Sequence, residues 1–215
     1  FGGYPAGPGG IAARLMKVPV VIHEQNAIVG MTNRYLAKFS ARVLTAFPDV
    51  LDGAECVGNP IRTEIDAVGR QRVADGCQPA KTTRVLVIGG SQGAKALNEK
   101  LPKKLKEIAN NFGIEVTHQT GLTAQNRVDE QYQALDLEAT VVAFISRMDD
   151  AYNGADIVVC RAGALTVSEL ASAAMPSVLI PFPNAVDDHQ TQNGEHLQKA
   201  GAAVVVQEKD LDIFV

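Results

Sequence analysis

The chain has 215 residues, 46% hydrophobic and 20% charged, with 20 Lys and Arg against 24 Asp and Glu for a net charge of −4. These values fit an ordinary globular chain with a real core and exclude a nucleic-acid partner held by a general positive field. An anionic ligand must therefore be held locally, by helix N-termini and single arginines.

Taken in chain order, short β-branched runs alternate with longer amphipathic stretches. Residues 1–10 form a glycine-rich opening (Gly2, Gly3, Tyr4, Gly7, Pro8, Gly9, Gly10), after which a helix is predicted to begin near Gly10. A strand predicted over Val18–Ile22 runs into His23-Glu24-Gln25-Asn26, and a helix over Thr32–Ser40 leads to a strand at Arg42–Thr45. The turn Cys56-Val57-Gly58-Asn59-Pro60-Ile61-Arg62 is a natural boundary, because the residue before proline disfavours helix. The polar stretch from there to Pro79 reads as a connector. Strands follow at Arg84–Ile88, Glu115–His118, Thr140–Phe144, Asp156–Cys160, Ser177–Pro181 and Ala203–Val206, with helices at Ala94–Asn110, Thr123–Ala134, Thr166–Ala174 and Asp188–Ala200. This βαβα alternation predicts an α/β fold with parallel sheets covered by helices. The predicted division is 1–60 and 61–215, two Rossmann-like domains facing a cleft. With Phe1 inside a glycine-rich loop and Val215 just after a strand and turn, both ends look cut, and the chain reads as a fragment.

Cys56, Cys77 and Cys160 lack zinc spacing and any CxxC pair, which predicts a reducing compartment. No apolar run reaches the roughly 20 residues needed to span a bilayer.

The polar clusters and most glycines fall after the predicted strands, where doubly wound sheets bind ligands. Gly89-Gly90-Ser91-Gln92-Gly93 is neither a dinucleotide fingerprint nor a P-loop. It fits either a tight turn or a backbone approach to phosphate at a helix N-terminus. Thr166-Val167-Ser168-Glu169 matches a capping box, with Glu169 bonding back to the Thr166 backbone, or else offers a carboxylate to ribose hydroxyls. His23-Glu24 fails the HExxH pattern at Ala27, Asp210-Leu211-Asp212 fits an N-terminal cap better than a metal site, and Asp187-Asp188 suits a first helical turn. No metal is predicted. His118 and His196 read as strand-end and helix-face residues.

Six motifs occur in one order and spacing: the glycine-rich opening, His23-Glu24-Gln25-Asn26, Gly58-Asn59-Pro60-Ile61-Arg62, Gly89-Gly90-Ser91-Gln92-Gly93-Ala94, Arg161 to Glu169, and Asp188-His189-Gln190. In this the chain resembles, over nearly its whole length, the family of UDP-GlcNAc:undecaprenyl-diphospho-muramoylpentapeptide GlcNAc transferases. It departs at Ala162, where relatives often carry Ser. The resemblance implies a GT-B fold of two Rossmann-like domains, the first truncated at its N-terminal side and the second at its C-terminus. It implies donor contacts from Asn26, Arg62, Ser91, Ile145, Ala164, Leu165, Thr166, Val167, Ser168, Glu169 and Gln190. The Ile145 backbone would hold the uracil edge and Glu169 the ribose. Ser91 and the Ala164–Thr166 backbone would cradle the diphosphate, and Gln190 would read the sugar. Gly3, Tyr4 and Gly7 would face the acceptor. His23 and Glu24 are candidates for the general base, beside a histidine that such enzymes carry on a further glycine-rich loop. No cofactor beyond the UDP-GlcNAc donor is implied. The implied partners are UDP-GlcNAc, the undecaprenyl-diphosphate-linked muramoylpentapeptide and the cytoplasmic face of the bacterial plasma membrane, bound peripherally. Arg14 and Lys17 would be available to anionic head groups, although a solvated helix face is the better account of those two alone. Rival expectations are a transferase with another lipid acceptor such as diacylglycerol, a UDP-GlcNAc 2-epimerase, and a non-catalytic nucleotide-sugar-binding subunit.

Overall fold

The computed structural model describes residues 5–76, 81–89, 94–183, 185 and 188–212. Two parallel sheets carry the fold. The smaller comprises β1 (Val21–Glu24), β2 (Arg42–Thr45) and β3 (Glu55–Cys56) in that order, with α1 (Ala6–Leu15) and α2 (Met31–Ala37) beside it. The larger has six strands: β4 (Thr83–Ile88), β5 (Ile114–Gln119), β6 (Ala139–Val142), β7 (Ile157–Cys160), β8 (Ser177–Leu179) and β9 (Ala203–Val205). Their order is β6-β5-β4-β7-β8-β9, the doubly wound arrangement in which the chain reverses direction across the sheet between β4 and β7.

The strands are nearly continuous apolar runs because both faces of this sheet are covered. Side chains alternate between the faces. Leu86, Val158 and Cys160 enter one buried cluster with Tyr152, Val167 and Leu170, while Val85, Val87 and Val159 enter a second with Leu97, Leu101 and Tyr132. The connecting helices are α3 (Thr63–Asp75), α4 (Lys95–Ala109), α5 (Gln125–Ala134), α6 (Met148–Asn153), α7 (Ala164–Ser172) and α8 (His189–Lys199). The loop after β2 plugs into the first cluster through Phe47, whose ring meets His196 edge-on with centroids 5.1 Å apart.

Several boundaries differ from the sequence expectation. Strand β1 starts at Val21 rather than Val18, because the ladder with β2 runs from Val21↔Arg42 to Glu24↔Thr45. Pro19, with no N–H, lies before it. His23 and Glu24 therefore end the strand instead of following it. The expected connector is the 13-residue helix α3. Its charged sequence carries little apolar periodicity, and only Ile65 and Gly69 are buried. Tertiary contacts hold it: Arg72 Nη1 donates to the Ala155 carbonyl (2.9 Å) and Ser172 Oγ to Asp66 (3.2 Å). At Gly69 a Cβ would come within 1.8 Å of the Ser172 carbonyl oxygen, so only glycine lets α3 lie this close to α7. Helix α1 begins at Ala6, before Gly10, and α7 begins at Ala164, two residues before the expected cap. Asp210 ends a short 3-10 turn (Glu208–Asp210), and Asp212 pairs with Lys100 at 2.7 Å.

Candidate functional site

Parallel strands deliver their following loops to one edge. At the larger sheet's reversal point β4 and β7 end side by side, and the loop after β1 approaches the loop after β7 from the smaller sheet, both bonded to Asn193. A cleft of about 1300 Å³ opens there, lined by Gly7, Gln25, Asn26, Gly163, Ala164, Leu165 and Thr166 among others. A smaller pocket of about 590 Å³ adjoins Gly89, Lys95, Arg161 and Gln190. Gly3, Tyr4, Ser91 and Asp187 lie outside the described residues.

On the smaller sheet the polar side chains serve one another. The Glu24 carboxylate is 3% exposed. It accepts the Asn26 N–H (3.0 Å) and Asn26 Nδ2 (3.3 Å) on one oxygen, and the Gly30 N–H (3.0 Å) and Asn33 Nδ2 (2.9 Å) on the other. Gly30 is the N-cap of α2, and this carboxylate bonds its N–H from beside the positive end of that helix, whose first turn has no side-chain cap among the described residues. His23 Nε2 lies 2.9 Å from the Gly58 carbonyl oxygen. A carbonyl only accepts, so the proton sits on Nε2.

On the larger sheet the arrangement is the reverse. Gly163 opens α7 with extended backbone, and no side chain among the described residues caps it. The first N–H groups of such a helix have no intrahelical partner. Gly163 precedes Ala164, Leu165 and Thr166, all at the cleft wall. Val167 stands behind them, its side chain buried and its N–H donating to the Gly163 carbonyl (2.9 Å). The expected capping box does not form, because the helix has already begun before Thr166. Glu169 instead accepts Arg62 Nη2 (2.9 Å) and the Tyr152 hydroxyl (3.4 Å). Burial and the Glu169 charge push the Tyr152 phenol well above its ordinary range, so it stays protonated and donates. Asn59 ties the two halves of the rim, its Nδ2 reaching the Gln25 carbonyl (3.1 Å) and Ser168 Oγ (3.0 Å).

Of the remaining expected residues, Gln190 lines the smaller pocket, while Arg62, Ile145 and Glu169 line neither of these two cavities. Gln190 Oε1 accepts the Phe182 N–H at 3.0 Å. Arg161 bonds the Ile180 and Pro181 carbonyls and pairs with Glu208 at 2.5 Å. Ile145 follows β6 and packs against the first apolar cluster. Among the described residues, no group of three or more His, Cys, Asp or Glu side chains is placed to hold a metal ion. His118 is fully buried between Tyr132 (2.9 Å) and Asn98 (3.2 Å), and burial pulls its pKa down to about 4.

Residues 84–214 match the model of the glycosyltransferase family 28 C-terminal domain, and residues 1–45 the N-terminal domain of the same family. The chain belongs to glycosyltransferase family 28. A Pseudomonas fluorescens relative named UDP-N-acetylglucosamine--N-acetylmuramyl-(pentapeptide) pyrophosphoryl-undecaprenol N-acetylglucosamine transferase is 47% identical over 212 residues, which is 97% of this chain and 58% of the relative. The crystal structure of Acinetobacter baumannii MurG superposes with a TM-score of 0.85 at 41% identity, covering 99% of this chain and 60% of that one. The glycosyltransferase of kitacinnamycin shares the fold at 16% identity and a TM-score of 0.62. The family 28 chain is thus of the GT-B type expected from the sequence, and it spans less than two thirds of the length of these relatives.

Asn193 was not singled out in the sequence, although it joins this rim. It is fully buried in α8 and bonds Asn26, Ala27 and Ala162. The available signal was the pair Asn193-Gly194 inside a helix, two residues that favour helix poorly.

Proposed function

We propose that this chain supplies the donor-binding part of an inverting glycosyltransferase that moves GlcNAc from UDP-GlcNAc to the muramoyl 4-hydroxyl of undecaprenyl-diphospho-muramoylpentapeptide. The observation that carries the reading is the N-terminus of α7, without a side-chain cap among the described residues, at a cleft wall shared with Asn26; Glu169, paired with Arg62, lies farther along the same helix. The named relatives, at 47% identity, support the substrates.

In this reading the diphosphate lies against the Ala164–Thr166 backbone with Ser91, Glu169 takes the ribose hydroxyls, the Ile145 backbone holds the uracil edge, and Gln190 reads the sugar. Residues 1–60 form the acceptor-side unit, with Gly3, Tyr4 and Gly7 toward the acceptor, and 61–215 the donor unit. The muramoyl hydroxyl attacks the anomeric carbon, inverts it from α to β and expels UDP. Negative charge grows on the departing diphosphate, where preorganised N–H dipoles and Arg62 stabilise it without reorganisation. A base must take the hydroxyl proton. The candidates are His23 and Glu24, the latter with oxygens that already accept four protein donors, beside the histidine that the resembled enzymes carry on a further glycine-rich loop. No metal takes part. No described helix is long and apolar enough to cross a membrane, and the lipid acceptor calls for peripheral association at the cytoplasmic face of the plasma membrane.

The test is UDP release from UDP-GlcNAc by this chain carried in a polypeptide of its relatives' full length. Release that requires undecaprenyl-diphospho-muramoylpentapeptide and yields a β-linked product is the expected result. Release with donor alone would indicate an epimerase or hydrolase and overturn the proposal.

A further inference from the structure

Asn193 sits inside α8, one helical turn beyond Gln190, with no exposed surface. Its Oδ1 accepts the Ala27 N–H at 2.8 Å, and its Nδ2 donates to the Ala162 carbonyl and to Asn26 Oδ1, each at 3.3 Å. The directions are forced. A backbone N–H only donates and a carbonyl only accepts, so the Asn193 amide has one allowed orientation. That orientation turns an N–H toward Asn26, so Asn26 must present Oδ1 to Asn193 and Nδ2 to Glu24 Oε1, which is 3.3 Å away. The neighbouring glycine makes the reach possible: a Cβ on Gly194 would stand 3.0 Å from Val205 Cγ2 and 3.5 Å from Ala162 Cβ, so α8 lies hard against the sheet.

We infer that Asn193 is a positioning residue of the donor cleft. It locks three chain segments into one geometry: the Asn26 amide, the Ala162–Gly163 turn that opens α7, and the first turn of α8 that carries Gln190. The inference rests on the reading of this cleft as the UDP-GlcNAc site. Asn193 is buried behind its partners, and it acts by fixing which face of Asn26 meets the cleft. Removing its amide frees Asn26 to rotate and leaves the Ala27 N–H and Ala162 carbonyl unpaired in the interior.

The test is a double-variant cycle on UDP-GlcNAc affinity, measured calorimetrically on the chain at a temperature where circular dichroism shows every variant folded. Asn193→Ala and Asn26→Ala are each expected to weaken binding about tenfold. The double variant is expected to fall far short of the product of the two losses, because one residue acts through the other. Where Asn193→Ala does not fold, Asn193→Asp keeps the volume and the acceptor for Ala27 but has no N–H for Asn26, and the same loss is expected. Unchanged affinity in a folded Asn193 variant, or losses that multiply fully, would overturn the inference. A wild-type chain that ignores UDP-GlcNAc, while Asn193→Ala still lowers the melting temperature, overturns the donor reading and this inference with it, leaving Asn193 a purely structural clasp.

Discussion

Two helix N-termini face the same cleft; neither has a side-chain cap among the described residues, but a carboxylate stands at only one of them. At the start of α2, Glu24 places a carboxylate oxygen 3.0 Å from the Gly30 N–H. The start of α7 has no such side chain among the described residues. A helix N-terminus carries partial positive charge and unpaired N–H groups wherever it occurs. The chain spends that property on its own stability at one site and keeps it available at the other. The acidic residue is consumed where the architecture needs rigidity, and the anion-binding end stays open where a diphosphate is expected. The first rim is built from side chains and the second from backbone, which also explains why Glu169, released from capping, can pair with Arg62.

The comparison breaks most readily at Glu24. Glu24→Ala would strip the acceptor from four donors, three of them on the half-buried Asn26 and the buried Asn33. A loss of about 4 kcal/mol in urea denaturation is expected. A loss under about 1 kcal/mol would mean that Glu24 is not the internal anion described.

His118, whose side chain bonds Asn98 and Tyr132 in the interior, supplies a control. Its folded pKa of about 4 lies below the ordinary 6.5, so the unfolded chain binds the extra proton between those values. Stability therefore rises with pH across that window and is flat above it. The amplitude approaches roughly 3 kcal/mol. In His118→Gln, urea midpoints measured from pH 4 to 7 should lose this slope; an unchanged slope would place the titration elsewhere.

The smallest stability effect belongs to the open rim. Arg62 is half exposed in its pair with Glu169, so Glu169→Ala should cost under about 1 kcal/mol of stability. The same variant should weaken UDP-GlcNAc binding about tenfold, the scale of a charged hydrogen bond to ligand. Binding unchanged in calorimetry would remove Glu169 from the site.

Much of this was legible in the sequence because the α/β alternation is written in apolar periodicity. All six strands of the larger sheet were placed within a few residues of their positions, and the polar loops fell at the strand ends. The helix α3 was not legible, since its charged face hides a contact made by one glycine, Gly69, against a backbone carbonyl. The capping-box motif at Thr166 misled because α7 starts at Ala164, straight after the extended backbone of Gly163. The network of Glu24, Asn26 and Asn193 was out of reach for another reason. It joins residues 167 positions apart, and no local pattern encodes such a pairing.

The central claim is that the open end of α7 receives the donor's diphosphate. Backbone amide NMR shifts during titration with UDP-GlcNAc test it most directly. The account predicts the largest shifts at Ala164, Leu165 and Thr166, with the Gly30 amide, already bonded to Glu24, nearly unmoved. Shifts concentrated at α2, or scattered without a maximum at α7, would contradict it.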